Sequence, residues 1–378
     1  MEERPVKPEA AGLYVHFPFC RAKCPYCHFA SVPFEGELVA LWWEGLAREA
    51  DLRADPALTI DTVYIGGGTP SLLEPADVRR LLALLAGRLR LVPEEVTLEA
   101  NPRRSARPFL SGWREAGVTR LSVGVQSFDD RDLVLLGRDS SAAEAVDFCT
   151  AARDTSFASL GFDLLVGVPR QSRTALERTV AVVRDLGPDH VSLYLLENVD
   201  GLPFEAVMRA CPVDEDEAAA QYEFVAASLG AAGLRRYEIS NFARPGRESR
   251  HNLKYWRYQP FLGLGPSAAS HLGSRRFTNV AGIRDWFGRL TRGEEPLAEV
   301  VELPADRGWR EALVFGLRLI EGVDLLDFRG RFGVDLLEAC GREVGELAAE
   351  GWLEVGAGRL RIPDDRLLLA NHVLAAFV

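Results

Sequence analysis

The sequence predicts an α/β fold built on a parallel sheet, followed by a small C-terminal α+β domain. From residue 12, short β-rich apolar runs alternate with longer amphipathic segments, which is the pattern of βα units. Six strands, each followed by a helix, fit an open (βα)6 barrel, although periodicity alone fits a doubly wound sheet equally well. After Pro296 the pattern changes to helices followed by a two-strand hairpin.

The predicted strands are short runs rich in β-branched and aromatic residues. They are Leu13–Phe17, Thr62–Ile65, Val96–Ala100, Arg120–Val125, Ser159–Val166 and His190–Leu195. Apolar residues recurring at intervals of three and four predict helices between them, at Leu38–Arg53, Pro75–Leu89 and Thr174–Asp185. In either architecture the ligand site belongs at the carboxyl ends of the strands, so residues that directly follow a strand are candidates for it.

The composition is that of an ordinary globular protein. Of 378 residues, 47% are hydrophobic and 26% are charged, and the length allows about two domains. A formal net charge of −11 argues against nucleic acid or an anionic membrane surface as the main partner. No apolar run reaches the ~18 residues of a membrane span. The polar start, residues 1–11, indicates a flexible arm and no secretion signal, so we expect a cytoplasmic protein.

Three cysteines, Cys20, Cys24 and Cys27, form a C-x3-C-x2-C loop directly after the first predicted strand. Three thiolates at this spacing can ligate three corners of a 4Fe-4S cluster and leave the fourth iron open to another ligand. A structural zinc loop is the alternative, with His16 or His28 as fourth ligand, but such sites usually use two C-x2-C knuckles and the sequence has no second one. The remaining cysteines are scattered, and we expect buried structural thiols: Cys149, Cys211 and Cys340.

The second predicted strand is followed by G-G-G-T-P, from Gly66 to Pro70. Glycines let the backbone approach a ligand closely and offer unobstructed N–H groups. A plain tight turn is the alternative interpretation of this segment.

Polar residues also interrupt the apolar runs of the next three strands, at Glu99, Gln126 and Asp163. Burying such a group costs a few kcal/mol unless it finds a partner, so each belongs either to a hydrogen-bonded network or to a ligand site. Arg138 lies in L-G-R after the fourth strand, and considered alone it is interpreted as a solvated charge at a helix end.

Together these stretches resemble the radical S-adenosylmethionine (SAM) superfamily, and within it the branch of coproporphyrinogen dehydrogenase and HemW, over residues 12 to about 285. The motifs are Y-V-H-F-P-F-C, I-G-G-G-T-P-S, E-A-N-P, G-V-Q-S-F, L-G-R, D-L-L-V-G-V-P and H-N-L-K-Y-W. The resemblance implies the barrel, over residues 12–290. It also implies a cluster whose open iron binds SAM, and reductive cleavage of SAM to methionine and a 5′-deoxyadenosyl radical.

The resemblance further implies which residues surround SAM. In the order of this sequence they are Tyr14, Tyr26, Gly67, Gly68, Thr69, Glu99, Gln126, Arg138 and Asp163.

The branch holds two functions, and three features favour the chaperone. The dehydrogenase carries a further cysteine two positions after the third, where this chain has Phe29, and a long N-terminal arm, where this chain has about eleven residues. H-N-L-K-Y-W, His251 to Trp256, is similar to HemW. We therefore expect a haem chaperone that binds haem, a 4Fe-4S cluster and SAM and delivers haem to an acceptor protein. The alternative is an oxygen-independent coproporphyrinogen III dehydrogenase or a related radical enzyme, and whether SAM is cleaved stays open.

Two positions depart from the HemW pattern. His28 stands where aspartate is usual after the third cysteine, and Ala269 stands where relatives carry histidine, with His271 two residues further on. The resemblance implies His251 as a ligand of haem iron, which neutral imidazole suits. A satisfied structural histidine is the alternative.

The C-terminal residues 291–378 resemble a winged helix. Helices are predicted at Trp309–Leu319, Asp324–Phe332 and Leu336–Glu350, and a hairpin turns at Gly356-Ala357-Gly358. This segment lacks a strong basic stripe, so we expect a lid or a partner surface, with a DNA-binding regulator as a third hypothesis. The other expected partners are an electron donor such as flavodoxin or ferredoxin and a peripheral contact with membrane-bound acceptors, and the expected assembly is a monomer or a dimer.

Overall fold

The strands predicted in the first half of the chain form one continuous sheet. The computed structural model describes residues 10–102 and 107–378. From the amino end its strands are β1 (Ala11–Phe17), β2 (Phe19–Cys20), β3 (Val32–Pro33), β4 (Thr59–Gly67), β5 (Arg90–Ala100), β6 (Arg120–Gln126), β7 (Ser159–Val166) and β8 (His190–Leu195). All six predicted strands are therefore confirmed, the last two with the predicted bounds.

Helices connect these strands, as the apolar periodicity predicts. They are α1 (Gly36–Leu52), α2 (Pro75–Ala86), α3 (Arg107–Glu115), α4 (Asp130–Leu135), α5 (Ala142–Thr155) and α6 (Arg173–Leu186). Local sequence sets their starts: the Ser141 side chain accepts from the backbone N–H of Glu144 at the start of α5, and Ser172 caps α6 in the same way.

The strand order decides between the two architectures that periodicity left open. The strands β1, β4, β5, β6, β7 and β8 are neighbours in chain order and all parallel. A doubly wound sheet reverses its order at a switch point, whereas crossovers that always advance in one direction place the helices on one face. The fold is therefore the (βα)6 barrel, and its inner face is free to line a cavity.

Further strands extend both edges of the sheet. After β8 come α7 (Glu205–Ala210) and α8 (Glu215–Ala231), and β9 (Arg235–Arg236) and β10 (Asn241–Ala243) pair beside β8. On the other edge β11 pairs parallel with β1, and antiparallel strands follow it. The elements of this extension are α9 (Arg250–Trp256), β11 (Phe261–Leu264), β12 (Ala269–Leu272), β13 (Arg275–Asn279), α10 (Ile283–Thr291) and β14 (Leu297–Glu302). The barrel is therefore open.

The main core lies between the outer face of the sheet and the helices. Three tryptophans, Trp42, Trp113 and Trp286, are among its largest fully buried side chains. Each indole N–H has an acceptor, since Trp42 donates to the carbonyl of His16 at 2.9 Å and Trp286 to Glu49 Oε2 at 3.0 Å. Large aromatic side chains with their polar atoms satisfied contribute much of the burial energy, at roughly 25 cal/mol per Å² of apolar surface.

The C-terminal part forms a second core with a winged-helix topology. Its elements are α11 (Ala305–Gly316), β15 (Val323–Asp324), α12 (Leu325–Phe332), α13 (Leu336–Ala339), α14 (Gly341–Ala349), β16 (Glu354–Gly356), β17 (Arg359–Arg361) and α15 (Ala370–Leu374). The small sheet has the order β15-β17-β16, and the hairpin turns at Ala357 and Gly358, which both have positive φ. The winged-helix-like fold is confirmed.

The predicted helix Leu336–Glu350 is wrong in one respect, because it is two helices. Cys340 leaves the helical region, with φ −138° and ψ 35°, and its thiol donates to the carbonyl of Leu336 at 3.0 Å. Gly341 follows, and glycine is a poor helix former, so the chain bends between α13 and α14.

The ends of the proposed domains stay predictions. The arm 1–11 lies outside the described residues except for its last two, and Ala11 already pairs with Ile60. At the other boundary, residue 291, the strand Leu297–Glu302 still belongs to the large sheet, and the second core begins with Trp309. No described helix is long and apolar enough to cross a membrane.

Candidate functional site

A cavity of ≈ 460 Å³ opens at the carboxyl ends of the parallel strands, under the cysteine loop. All three loop cysteines line it. So do eight of the nine residues that the resemblance implies for SAM, which are Tyr26, Gly67, Gly68, Thr69, Glu99, Gln126, Arg138 and Asp163. The fold thus brings residues from five strands to one place, because parallel strands end at the same side of the sheet.

The cysteine loop lies between β2 and β3 and carries half-buried free thiols. The Thr69 hydroxyl donates to Cys20 Sγ at 3.4 Å, and Arg138 Nη1 donates to Cys24 Sγ at 3.6 Å. Among the described residues no three His, Cys, Asp or Glu side chains converge on a single ion position. Three half-buried thiols on one loop, with hydroxyl and guanidinium donors beside them, fit a cluster whose thiolates bind three different irons.

The glycine-rich turn lines the cavity and also packs against the strand that leads into the cysteine loop. Its N–H groups are not free: Gly67 donates to Glu99 Oε2 at 3.0 Å, Gly68 to the carbonyl of Phe17 and Thr69 to the carbonyl of Phe19. A Cβ on Gly68 would lie 2.5 Å from the Phe19 carbonyl oxygen, and Gly67 has φ +115°. Glycine is required here because the turn packs directly against the backbone of the cysteine loop.

Two carboxyl groups stand inside the barrel. Glu99 accepts hydrogen bonds from Tyr64 Oη at 2.8 Å and from the Gly67 N–H. Asp163 accepts one from Ser122 Oγ at 3.2 Å. Burial, and then the nearby charge of Asp163, raises the pKa of Glu99 to about 7, and burial raises the pKa of Asp163 as well. Glu99 can therefore change protonation near neutral pH, and both carboxyl groups are acceptors that can bind a cationic ligand.

Arg138 is a partly buried residue of the cavity lining with several hydrogen bonds, so its interpretation as a solvated helix-end charge is wrong. Its Nη2 donates to Asn101 Oδ1 at 2.9 Å and to the carbonyl of Gly124 at 2.7 Å, while Nη1 reaches Cys24. The guanidinium therefore links the cysteine loop to the ends of β5 and β6. A cation beside the thiolates also favours the added negative charge of a bound cluster.

Gln126 ends β6 in a left-handed backbone conformation, with φ 70°. A non-glycine residue in this region is uncommon and costs of order 1 kcal/mol or more, so it persists where the surroundings impose it. The turn directs the side chain toward the cavity that Gln126 lines.

Two predicted residues do not line the cavity. Tyr14 lies beside it, with its ring 6.1 Å from that of Tyr64 and its hydroxyl bonded to His16 Nδ1 at 2.9 Å. His251 is 0% exposed, and both ring nitrogens are engaged, Nδ1 with Thr62 Oγ1 at 2.9 Å and Nε2 with Tyr255 Oη at 2.7 Å. Haem ligation by His251 would require the hydrogen bond of the ligating nitrogen to break and the fully buried ring to become accessible, so the geometry fits the structural alternative.

The two departures from the family pattern lie in different places. His28 is exposed at the opening of the cavity, with its ring 4.8 Å from that of Phe29. Ala269 is exposed on β12, and His271 is buried against Tyr258, 4.3 Å between ring centroids, outside the cavity lining. His271 therefore does not replace a histidine of the cavity.

Sequence reasoning missed several cavity residues. They are Tyr64, Asn101, Arg120, Ser122, His190, Ser192 and Tyr194. Most occupy alternate positions of a strand, as in R-L-S-V-G-V-Q and H-V-S-L-Y-L. Alternate residues of a strand face the same side, so this spacing could have predicted that they share the inner face of the sheet.

The barrel and its cysteine loop define a radical SAM protein. Residues 14–183 match the family model of the radical SAM superfamily, and residues 303–366 match that of the HemN C-terminal domain. The fold agrees: the structure titled coproporphyrinogen III oxidase (HemN) from Escherichia coli superposes with a TM-score of 0.85 at 22% identity, over 98% of this chain and 91% of that one.

The closer similarity in sequence is to haem chaperones. A protein named heme chaperone HemW from Mycobacterium tuberculosis is 36% identical over 98% of this chain and 95% of its own length, and one from Bacillus subtilis is 30% identical over 97% and 99%. The mitochondrial radical S-adenosyl methionine domain-containing protein 1 of Bos taurus is 35% identical over 98% and 88%. The chain belongs to the HemW family.

Membership in this family implies a 4Fe-4S cluster and SAM. The residues present fit both groups: three free thiols line one side of the cavity with hydroxyl and guanidinium donors beside them, and carboxyl, amide and tyrosine groups line the other side.

Proposed function

We propose that this protein is a haem chaperone that holds a 4Fe-4S cluster and SAM and delivers haem to an acceptor protein. The observation that carries the proposal is the similarity to proteins named heme chaperone HemW over nearly the whole chain, at up to 36% identity. The similarity spans both the barrel and the second core, so the proposal rests on nearly the whole chain and not on the cysteine loop alone.

In this proposal Cys20, Cys24 and Cys27 bind the cluster and the cavity residues bind SAM. When bound, the cluster supplies an electron and an open iron for SAM. Arg138 and Thr69 orient the thiolates, and Glu99 and Asp163 offer acceptors to the polar groups of SAM.

Haem would bind at the opening of the cavity. Phe29 is 57% exposed there, and Tyr194 and Leu195, which also line the cavity, are exposed as well. We call these three residues the apolar rim. Exposed large apolar residues around an opening favour a flat, apolar ligand such as the porphyrin ring. The exposed ring of His28 lies beside Phe29, 4.8 Å between ring centroids, and is available to the iron, unlike that of His251.

Anaerobic reconstitution followed by haem titration and a coproporphyrinogen III assay on the same sample tests the proposal. We expect a saturable Soret change and unchanged coproporphyrinogen. Accumulation of protoporphyrinogen would instead establish the dehydrogenase alternative, whose fold this chain shares.

Two variants locate the haem. His28→Ala is expected to shift the Soret band and weaken haem binding, while iron content stays the same because the cysteines hold the cluster. His251→Ala, as the comparison, should lower stability without altering the haem spectrum of the folded fraction. The reverse pattern would return the ligand role to His251.

The remaining partners keep the status of expectations. They are an electron donor such as flavodoxin or ferredoxin, membrane-bound acceptors contacted peripherally, and a monomeric or dimeric assembly in the cytoplasm.

A further inference from the structure

The cavity continues past the SAM-binding level to the amino ends of the strands, where its lining carries unused hydrogen-bond donors. Arg120 is the first residue of β6 and His190 the first residue of β8, and both line the cavity. They are 2% and 1% exposed. We call the space between them the cavity base.

Arg120 is a buried cation with no salt bridge to a described residue, and the Asp163 carboxyl on the same inner face lies near enough for the charge of Arg120 to lower its pKa. Its Nη1 donates to Ser159 Oγ at 2.7 Å and to the carbonyl of Arg247 at 3.2 Å, which are both neutral acceptors. No partner for Nη2 is found in residues 10–102 or 107–378. A buried charge costs several kcal/mol unless it is paired, so the free Nη2 of Arg120 favours a negatively charged acceptor at the cavity base.

His190 supplies a second donor. Its Nε2 lies 2.9 Å from Tyr237 Oη, and that oxygen accepts the Ser249 N–H at 3.4 Å. When the hydroxyl of Tyr237 donates to Nε2, the neutral ring carries its proton on Nδ1 and can donate it into the cavity. Nδ1 is buried without a partner among the described side chains and backbone. Burial and the charge of Arg120 lower the pKa of His190, so the ring is a neutral donor.

Both free donors border the same gap, which a glycine creates. A Cβ built on Gly161 would lie 3.5 Å from His190 Nδ1 and 3.6 Å from Arg120 Nη2. Gly161 pairs with Ser122 on β6 and with His190 on β8, so it lies between the two donors in the sheet. A small group held by both donors would occupy the position where other residues carry a side chain.

We propose that the cavity base is a binding site for a carboxylate group, held by Arg120 Nη2 and His190 Nδ1. One buried cation and one neutral donor match a single negative charge, and a guanidinium fits a planar carboxylate. A phosphate, with up to two charges, would exceed the single positive charge of Arg120, which makes it the poorer occupant. The proposal rests on the cavity alone and does not require the haem-chaperone function.

The carboxylate could belong to a small free acid or to the end of a larger ligand, such as a propionate of haem reaching down from the apolar rim. Two probes separate these sources. Sodium propionate, with propionamide as its neutral counterpart, reports on the free acid. Haem and haem dimethyl ester, compared by Soret titration, report on a propionate of haem.

Gly161→Ala is the decisive variant. The added methyl fills the gap at ordinary contact distances and leaves Arg120 and His190 in place, so the protein should fold. Gly230→Ala in α8, where a Cβ meets nothing within 4 Å, is the matched control. All titrations use reconstituted protein with SAM present.

We expect one of two results. In the first, propionate stabilises the parent and Gly230→Ala against heat, propionamide does not, and propionate binds Gly161→Ala at least about tenfold more weakly than the parent. In the second, the parent binds haem at least about tenfold more tightly than haem dimethyl ester, and Gly161→Ala removes this difference. The first result identifies a free acid and the second a haem propionate. If Gly161→Ala changes neither propionate binding nor the difference between haem and its ester, the cavity base is not a carboxylate site.

Discussion

Glu99 is a carboxylic acid that has two donors and, among the described residues, no cation beside it. Tyr64 and the Gly67 N–H satisfy its oxygens, and Asp163 adds a second negative charge to the same cavity. Its pKa rises from the ordinary 4.5 to about 7 because the charged form loses hydration and meets a like charge. The apo cavity is therefore under electrostatic strain at neutral pH, which a cationic ligand such as the SAM sulfonium would relieve.

This shift predicts a pH dependence of stability. Because the folded pKa is raised, the contribution of Glu99 to stability is fully present below pH 4.5 and is lost as the pH rises through about 7. Glu99→Gln removes this loss. In urea unfolding of the apo protein, we expect the variant to gain stability relative to the parent between pH 5 and 7.5, by on the order of 1 to 3 kcal/mol.

Glu44→Gln is the control, since Glu44 is exposed on α1 and pairs with Arg48 at the surface. The unfolding free energy of Glu44→Gln should stay within about 0.5 kcal/mol of that of the parent at both pH 5 and pH 7.5. An equal effect of Glu99→Gln at pH 5 and 7.5 would show that the carboxyl is already ionised at pH 5.

The loop cysteines give the second prediction at this scale. Replacing Cys20, Cys24 or Cys27 by alanine removes a thiolate, and we expect cluster binding to weaken by at least about tenfold, measured as bound iron and visible absorbance after reconstitution. Cys211→Ala is the control: its sulfur accepts from Arg170 Nε at 3.0 Å, away from the loop. Equal iron loss in this control would contradict the assignment.

At the scale of elements, the turn after β4 and the cysteine loop form one packed unit. Gly68 and Thr69 donate to the carbonyls of Phe17 and Phe19, and Phe17, Phe19 and Trp42 pack edge to face at 5.0 to 6.5 Å between ring centroids. The loop that carries the cysteines is thus positioned by backbone contact with a glycine turn, which explains why the two motifs occur together in this sequence.

This packing predicts the effect of Gly68→Ala. The Cβ would lie 2.5 Å from the Phe19 carbonyl oxygen, which belongs to the backbone and cannot rotate away, so the cysteine loop has to shift. We expect a loss of about 1 to 3 kcal/mol in unfolding free energy and a lower yield of reconstituted cluster. Gly36→Ala, with nothing within 4 Å, is the matched control, and an unchanged cluster yield in Gly68→Ala would show that the turn does not position the loop.

The elements also show what sequence reasoning could and could not reach. The parallel strands were predictable because each is a short apolar run with one polar face, as in Arg120–Gln126. The resemblance placed Arg138 in the site, but its contact with Cys24 could not be predicted, since Cys24 lies 114 residues away and the local pattern indicates only a helix end. The hydrogen bonds that the N–H groups of the glycine turn donate to Phe17 and Phe19 likewise depend on contacts between elements. So does the unpaired nitrogen of His190, because it depends on the hydrogen bond between this ring and Tyr237.

At the scale of the whole molecule, the second core packs against the extension of the barrel. Glu311 on α11 accepts hydrogen bonds from Tyr258 Oη at 3.1 Å and from Arg276 Nη1 at 2.9 Å, and Trp256 stacks on Phe315. Tyr237 adds a link to the site, because its carbonyl accepts the Ile320 N–H at 3.0 Å while its hydroxyl bonds His190 at the cavity base. The second core thus helps to fix the orientation of a cavity residue.

The last prediction concerns this coupling. Glu311→Ala leaves Tyr258 Oη and Arg276 without their shared acceptor, and we expect unfolding stability to fall by about 1 to 2 kcal/mol. The transition should remain single in calorimetry, because the stacked rings and the Ile320 hydrogen bond still join the two cores. Glu346→Ala, at an exposed position of α14, should leave stability within about 0.5 kcal/mol of the parent. Two separate transitions in the parent protein would show that the two cores unfold independently. The hydrogen bond between Ile320 and Tyr237 would then break in the first transition, and the second core would no longer help to orient His190.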